Sequence, residues 1–191
     1  MVGTVLKTFY QISFIWSVEF EVKALGDQGP NWSNVFHFTN GANHGAPGNR
    51  YPAVFVEKGT QVLLINSYVS GNVNYGWKSP ELSQIEWTAV KIHQYQSNQK
   101  VFYQVFFNGQ SVVNVENTTP ATFDNMILYL SDPWHSQRAN LLVKNLKYRH
   151  DQTCNYINYY YPIQPSFLHR NLAKSINFQW YESSIFYLKW K

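Results

Sequence analysis

A chain of 191 residues has room for one domain plus extra segments, and with 45% hydrophobic and 18% aromatic residues it can build a sizeable core. The net charge of +4 is spread out, with 11 Lys+Arg against 9 Asp+Glu in residues 1–150 and 4 against 2 in residues 151–191; without a basic run, nucleic acid is excluded as a partner. The single cysteine, Cys154, excludes an intrachain disulfide and a cysteine-based zinc site, and no stretch approaches the ~18 apolar residues of a transmembrane helix.

Residues 1–13 are read as an atypical N-terminal segment. Their apolar run is broken by Lys7, Thr8 and Gln11, and no small-residue cleavage site follows, so they do not read as a signal peptide. From there the chain reads as short strands and turns. Residues 14–25 alternate, with Val18, Phe20 and Val22 on one face and Glu19, Glu21 and Lys23 on the other. A turn at 26–30 leads to a strand at 32–39, and residues 40–50 form a long polar loop. Residues 51–57 and 61–68 are read as a hairpin around Lys58-Gly59-Thr60, and residues 70–80 as another loop, carrying Tyr75 and Trp77. Residues 85–95 alternate again.

The strongest local signal is Asn108-Gly109 between two β-branched and aromatic runs. It predicts a hairpin over 101–115, because Asn-Gly supplies the two positive-φ positions of a type I′ turn. Residues 126–131 and 141–148 complete about nine strands. The densest basic cluster, Lys144, Lys147, Arg149 and His150, reads as the solvated face of the last of them. Strands at this spacing, each with one apolar face, predict a single all-β antiparallel jelly-roll sandwich over residues 14–150. Residues 151–191 shift in composition, with 11 aromatics among residues 155–191. They are read as a tail outside the sandwich: translated non-coding sequence, a disordered segment, or a helix with Leu168, Leu172, Ile176 and Trp180 every four residues.

Between about Ser17 and Tyr148 an ordered set of pieces resembles concanavalin A-like and laminin-G-like jelly rolls, and an uncharacterised animal group within them. The pieces are Val18-Glu-Phe-Glu-Val-Lys-Ala24, Val35-Phe-His-Phe-Thr39, Gly48-Asn-Arg50-Tyr-Pro52-Ala-Val-Phe55, Phe107-Asn-Gly109, Leu130-Ser-Asp132-Pro-Trp134 and Val143-Lys-Asn-Leu146-Lys-Tyr148. The resemblance implies an extracellular or secreted domain. It also implies a strand before Val18, which residues 1–15 do not resemble, so the first strand is expected to be missing or replaced. Where the group's pattern has Gly-Asp-Arg this chain has Gly48-Asn49-Arg50, which removes a carboxylate.

The candidate ligand-binding residues lie in three places. Asn43, His44, Asn49 and Arg50 sit in the polar loop, where amides offer sugar hydroxyls a donor and an acceptor together and a guanidinium pairs with a carboxylate or sulfate. Tyr75 and Trp77 are expected to be exposed on the 70–80 loop. Trp134 and His135 follow a strand, where Trp134 offers an aromatic face to a pyranose. The structural alternative is that Arg50 braces its loop and Trp134 plugs the end of the sandwich.

Other chemistry reads more weakly. Glu19 and Glu21 share a strand face about 7 Å apart, near the spacing of glycosidase carboxylates. Lys23 takes the next position of that face, where jelly-roll glycosidases carry a third acid, and no enzyme is expected. His37, His44, His93 and His135 lack metal-site spacing, and His37, between Phe36 and Phe38, reads as a hydrogen-bonded structural histidine. No cofactor is expected: calcium would need Asp27, Asp124 and Asp132 to meet in space. Asn31-Trp32-Ser33 and Asn117-Thr118-Thr119 are glycosylation sequons, Asn117 being the expected exposed acceptor. The expected function is non-catalytic, lectin-like binding of a glycan or glycosylated partner. A protein-interaction or structural sandwich and a degenerate glycosidase are the alternatives.

Overall fold

The computed structural model describes residues 2–150 and 157–158. In chain order the strands are β1 (Thr4–Ile12), β2 (Trp16–Ala24), β3 (Ser33–Thr39), β4 (Ala53–Val56), β5 (Val62–Val69) and β6 (Asn72–Glu81). They continue with β7 (Thr88–Ser97), β8 (Lys100–Phe107), β9 (Gln110–Glu116), β10 (Phe123–Leu130), β11 (Leu141–His150) and β12 (Ile157–Asn158). Two six-stranded sheets result: the β1 sheet, ordered β1-β10-β3-β4-β5-β6, and the β2 sheet, ordered β12-β11-β2-β7-β8-β9. Neighbouring strands run antiparallel throughout, and the architecture is a jelly-roll β-sandwich.

Strict alternation builds the core. In β2, Trp16, Val18, Phe20, Val22 and Ala24 are all buried, and the residues between them are half-exposed. Phe20 meets Phe36 of the opposite sheet edge-on at 5.1 Å, and Phe38 meets Tyr148 at 4.8 Å, so aromatic pairs bridge the sheets. Each such fully buried side chain contributes roughly 1.5–3 kcal/mol. A polar chain also crosses the interior: Tyr51 Oη donates to the Ala121 carbonyl at 2.9 Å, and Gln94 Nε2 donates to Tyr51 Oη at 3.1 Å. Asn117 Nδ2 in turn donates to Gln94 Oε1 at 2.7 Å.

The Asn108-Gly109 hairpin forms as its sequence dictates, with φ of 49° and 79° at the two turn residues joining β8 to β9. The nine expected strands are all present within a few residues of their expected limits.

Three elements depart from expectation. The first strand is not missing: β1 pairs with β10 from Thr4↔Leu130 to Ile12↔Phe123. Its inward residues Leu6, Phe9 and Ile12 fall three apart rather than two, and a bulge lies between Val5 and Lys7. The 70–80 segment is not a loop but mostly edge strand β6, where Pro80 is tolerated because an edge has backbone positions with no ladder partner. Within the expected tail, Ile157–Asn158 adds a two-residue strand to β11. Cys154 and the helical period from Leu168 to Trp180 lie outside the described residues.

Asn117 is a fourth correction. It is buried, and its Oδ1 accepts from Ser70 N at 2.7 Å and Thr119 N at 3.1 Å while its Nδ2 is held by Gln94. A glycan on that nitrogen is incompatible with the fold. Asn31, in the other sequon, is exposed.

Candidate functional site

Two surfaces carry chemistry, one on the outer face of each sheet. On the β1 sheet, β3 is buried along its whole length, because two loops cover its outer side. The loop between β3 and β4 is fixed by Gly48, whose φ is +85° and where a Cβ would lie 2.7 Å from the Phe123 ring. The loop between β10 and β11 is fixed by Asp132, whose Oδ1 accepts from the backbone N–H groups of Trp134 and His135, both at 3.1 Å.

His37 ties these loops together from the middle of β3. Its Nδ1 lies 2.7 Å from Asp132 Oδ2 and its Nε2 lies 2.5 Å from the Asn49 carbonyl oxygen. A carbonyl only accepts, so Nε2 carries a hydrogen, and Nδ1 shares a proton with the carboxylate. His135 Nδ1 donates to Asp132 Oδ1 at 2.8 Å. Burial alone would raise the Asp132 carboxyl. The hydrogen bonds from His135 and His37, and the charges of those rings, outweigh burial and hold it well below the usual carboxylate range.

Arg50 lies beside this cluster, its guanidinium 4.7 Å from the centre of the Phe55 ring. Nε donates to the Asn43 carbonyl at 3.0 Å and Nη2 to Asn43 Oδ1 at 3.1 Å. Nη1 donates to Asn66 Oδ1 at 3.3 Å and Asn74 Oδ1 at 2.5 Å. Four of the five guanidinium hydrogens are thus held by asparagines. Burial draws the Arg50 pKa down from its usual value, and the charge of Asp132 opposes this.

Six of the eight residues named from sequence therefore gather here. Asn43 and Arg50 clamp each other. Asn49 is buried, its Nδ2 donating to the His44 carbonyl at 2.8 Å, and the rest of His44 is exposed. His135 packs on Phe55 at 5.2 Å. Trp134 stays 40% exposed, its ring set edge-on against Tyr129 and His37. Tyr75 and Trp77 do not join them. Being alternate residues of β6, they point inward, against Tyr103 and Phe107. Asn66 and Asn74, which hold Arg50, were missed, because one looks like any strand amide and the other like any loop amide until β5 and β6 are paired.

The second surface is the outer face of the β2 sheet, which holds a groove of about 540 Å³ lined by Glu19, Glu21, Lys91, Phe106, Asn145 and Lys147, among others. Strand register builds it: Glu19 pairs with Lys147 on one side and Lys91 on the other, and Lys91 pairs with Phe106. From Phe106 an aromatic lane runs along β7 and β8. His93 lies 5.7 Å from Phe106 and stacks on Tyr95 at 4.8 Å, and Tyr95 stacks on Phe102 at 5.6 Å. All four rings are half-exposed. Burial lowers the His93 pKa; its bond with Gln104 opposes this, Lys91 adds to it, and Glu19 opposes it.

The two carboxylates of the groove face cations. Glu19 lies 3.4 Å from Lys91 and 3.5 Å from Arg149, and Glu21 lies 3.1 Å from Lys144 and accepts a short hydrogen bond from Asn145. Of this surface the sequence marked Glu19, Glu21, Lys23, His93 and the basic cluster of β11, without showing that they share one face. Phe102 and Phe106 were hidden, because β8 carries aromatics on both faces and the period of two does not say which is outside.

For calcium, the three aspartates are separated. Asp27 accepts from Gln61 and Asp124 from Gln11, while Asp132 lies beyond the opposite end of β10 from Asp124. Among the described residues no three His, Cys, Asp or Glu side chains gather as a cation site, and no helix is long and apolar enough to cross a membrane.

No protein-family model and no curated protein matches the chain. Some solved structures resemble it in part. A heptameric SAP-like pentraxin from Limulus polyphemus is 13% identical with a TM-score of 0.49, over 77% of this chain and 72% of that one. Sheep galectin-11, in complex with glycerol, is 12% identical with a TM-score of 0.46, over 78% and 99%. A carbohydrate-binding module, CBM66 from Bacillus subtilis, is 8% identical with a TM-score of 0.42, over 73% and 76%. A polysaccharide lyase and a lichenase are also among them. The jelly-roll sandwich itself rests on the strand order and pairing of the two sheets.

Proposed function

We propose that this protein is a secreted, non-catalytic carbohydrate-binding module that holds a glycan on the outer face of the β2 sheet. One observation carries this reading: the groove sets the ring of Phe106, continued by His93, Tyr95 and Phe102, beside the charged and amide groups of Glu19, Lys91, Asn145 and Lys147. A pyranose has an apolar C–H face and a rim of hydroxyls. Rings receive the first, and paired donors and acceptors receive the second. The carboxylates lie in ion pairs, which suits hydrogen bonding to hydroxyls better than proton transfer.

A second reading puts the glycan on the β1 sheet, at the rim of Asn43, His44, Asn49, Arg50, Trp134 and His135. It is favoured by Trp134, an exposed ring held rigidly by Tyr129 and His37.

A glycan array probed with the full chain and two variants tests both. The first reading expects Phe106→Ala to lose most of the signal, roughly tenfold or more from one stacking ring at ~1.5 kcal/mol, and Trp134→Ala to keep it. The reverse pattern moves the site to the rim. No signal from the folded chain overturns glycan binding and leaves a protein-interaction sandwich.

A further inference from the structure

The outer face of the β2 sheet is unevenly charged. Around the two groove carboxylates stand five cations: Lys91 on β7, Lys23 on β2, and Lys144, Lys147 and Arg149 on β11. Glu19 is shared by Lys91 and Arg149, both at the loose end of ion-pair distance, and Glu21 takes Lys144. Lys23 and Lys144 lie over the Trp87 ring at 5.4 and 4.1 Å. Lys147 alone of the five has no ion-pair or ring partner among the described residues, although it lines the groove directly across from Glu19.

An ammonium group that lines a groove and forms no ion pair among the described residues is a place for an anion supplied from outside. The neighbouring cations add a positive field, because their carboxylates neutralise only part of it. Asn145 brings a side-chain amide to the same wall, and Phe106 supplies the apolar floor.

We propose that the groove selects an anionic saccharide, with Lys147 contacting its carboxylate or sulfate while Phe106 receives the sugar ring. This rests on the reading that the groove binds a glycan, and it names the class of glycan.

The test is titration calorimetry of the full chain with three tetrasaccharides: hyaluronan, carrying carboxylates only; chondroitin 4-sulfate, carrying both groups; and chitin, a neutral N-acetylglucosamine chain. The proposal expects at least one acidic probe to bind tenfold or more tighter than the neutral one. It expects Lys147→Gln to lose roughly tenfold of that affinity, as for one charge-assisted hydrogen bond. Lys58→Gln, an exposed cation in the turn between β4 and β5, should leave it unchanged. The difference between the acidic probes tells whether carboxylate or sulfate is preferred. Equal weakening by Lys147→Gln and Lys58→Gln means diffuse attraction to a basic protein and overturns the assignment. Equal binding of all three probes, indifferent to Lys147→Gln, overturns charge selection but leaves glycan binding standing. No binding of any probe while an array detects other glycans again defeats charge selection alone, and no binding on either defeats both.

Discussion

Asp132 is the residue on which the covered face of the β1 sheet depends. It is fully buried, and its two oxygens accept from His37, from His135 and from two backbone N–H groups. Removing its charge leaves the His37 imidazole facing an amide in the interior, and Asp132→Asn should cost about 3 kcal/mol in urea unfolding, a large part of an ordinary domain's stability. The pH dependence has a definite sign. The folded carboxyl is held below its unfolded value of ~4, so its contribution is present above that pH and is lost as the pH falls toward the folded pKa. Unfolding free energy of the native chain should therefore drop more steeply below about pH 4 than that of Asp132→Asn. Parallel curves would contradict the arrangement. The sequence disclosed His37 as a structural histidine, since it sits between two inward phenylalanines, and Asp132 as one of three aspartates that calcium would need. It did not disclose that they are partners, because a pairing across 95 positions has no local signature.

Two of the edge strands that escaped the sequence reading show what an element can hide. β6 reads as a loop because Asn72, Asn74, Gly76, Ser79 and Pro80 are turn-prone, yet its alternate residues Tyr75 and Trp77 anchor it to Tyr103 and Phe107. Burial on one face overrides weak β propensity. The consequence is opposite to a binding role: Trp77→Ala should lower stability by about 2–3 kcal/mol in thermal or urea unfolding and leave glycan affinity of the folded protein unchanged. A lost affinity with unaltered stability would return Trp77 to the surface. β1 was hidden because its inward residues Leu6, Phe9 and Ile12 are spaced as on a helix. By contrast β2, β7 and the Asn108-Gly109 hairpin were legible, since in them alternation, turn chemistry and burial agree.

For the whole molecule, the sandwich was written in the sequence and the position of the face proposed to bind was not. Periodicity says that each strand has an inside and an outside; which outside is covered depends on where loops fold back. The loops carrying Arg50 and Trp134 cover β3, which turns most of the rim residues into supports for one another. The β2 sheet receives no such cover among the described residues, and there the groove, the aromatic lane and the surplus of cations coincide. Charges that were spread along the chain become a patch only when β11, β2 and β7 are set side by side. The most direct test of this account is a backbone amide NMR titration of the full chain with whichever oligosaccharide the array identifies. The account predicts shifts confined to Glu19–Glu21, Lys91–Tyr95, Phe102–Phe106 and Lys144–Lys147. Shifts centred on Asn43–Arg50 and Trp134–His135, with those strands silent, would contradict it.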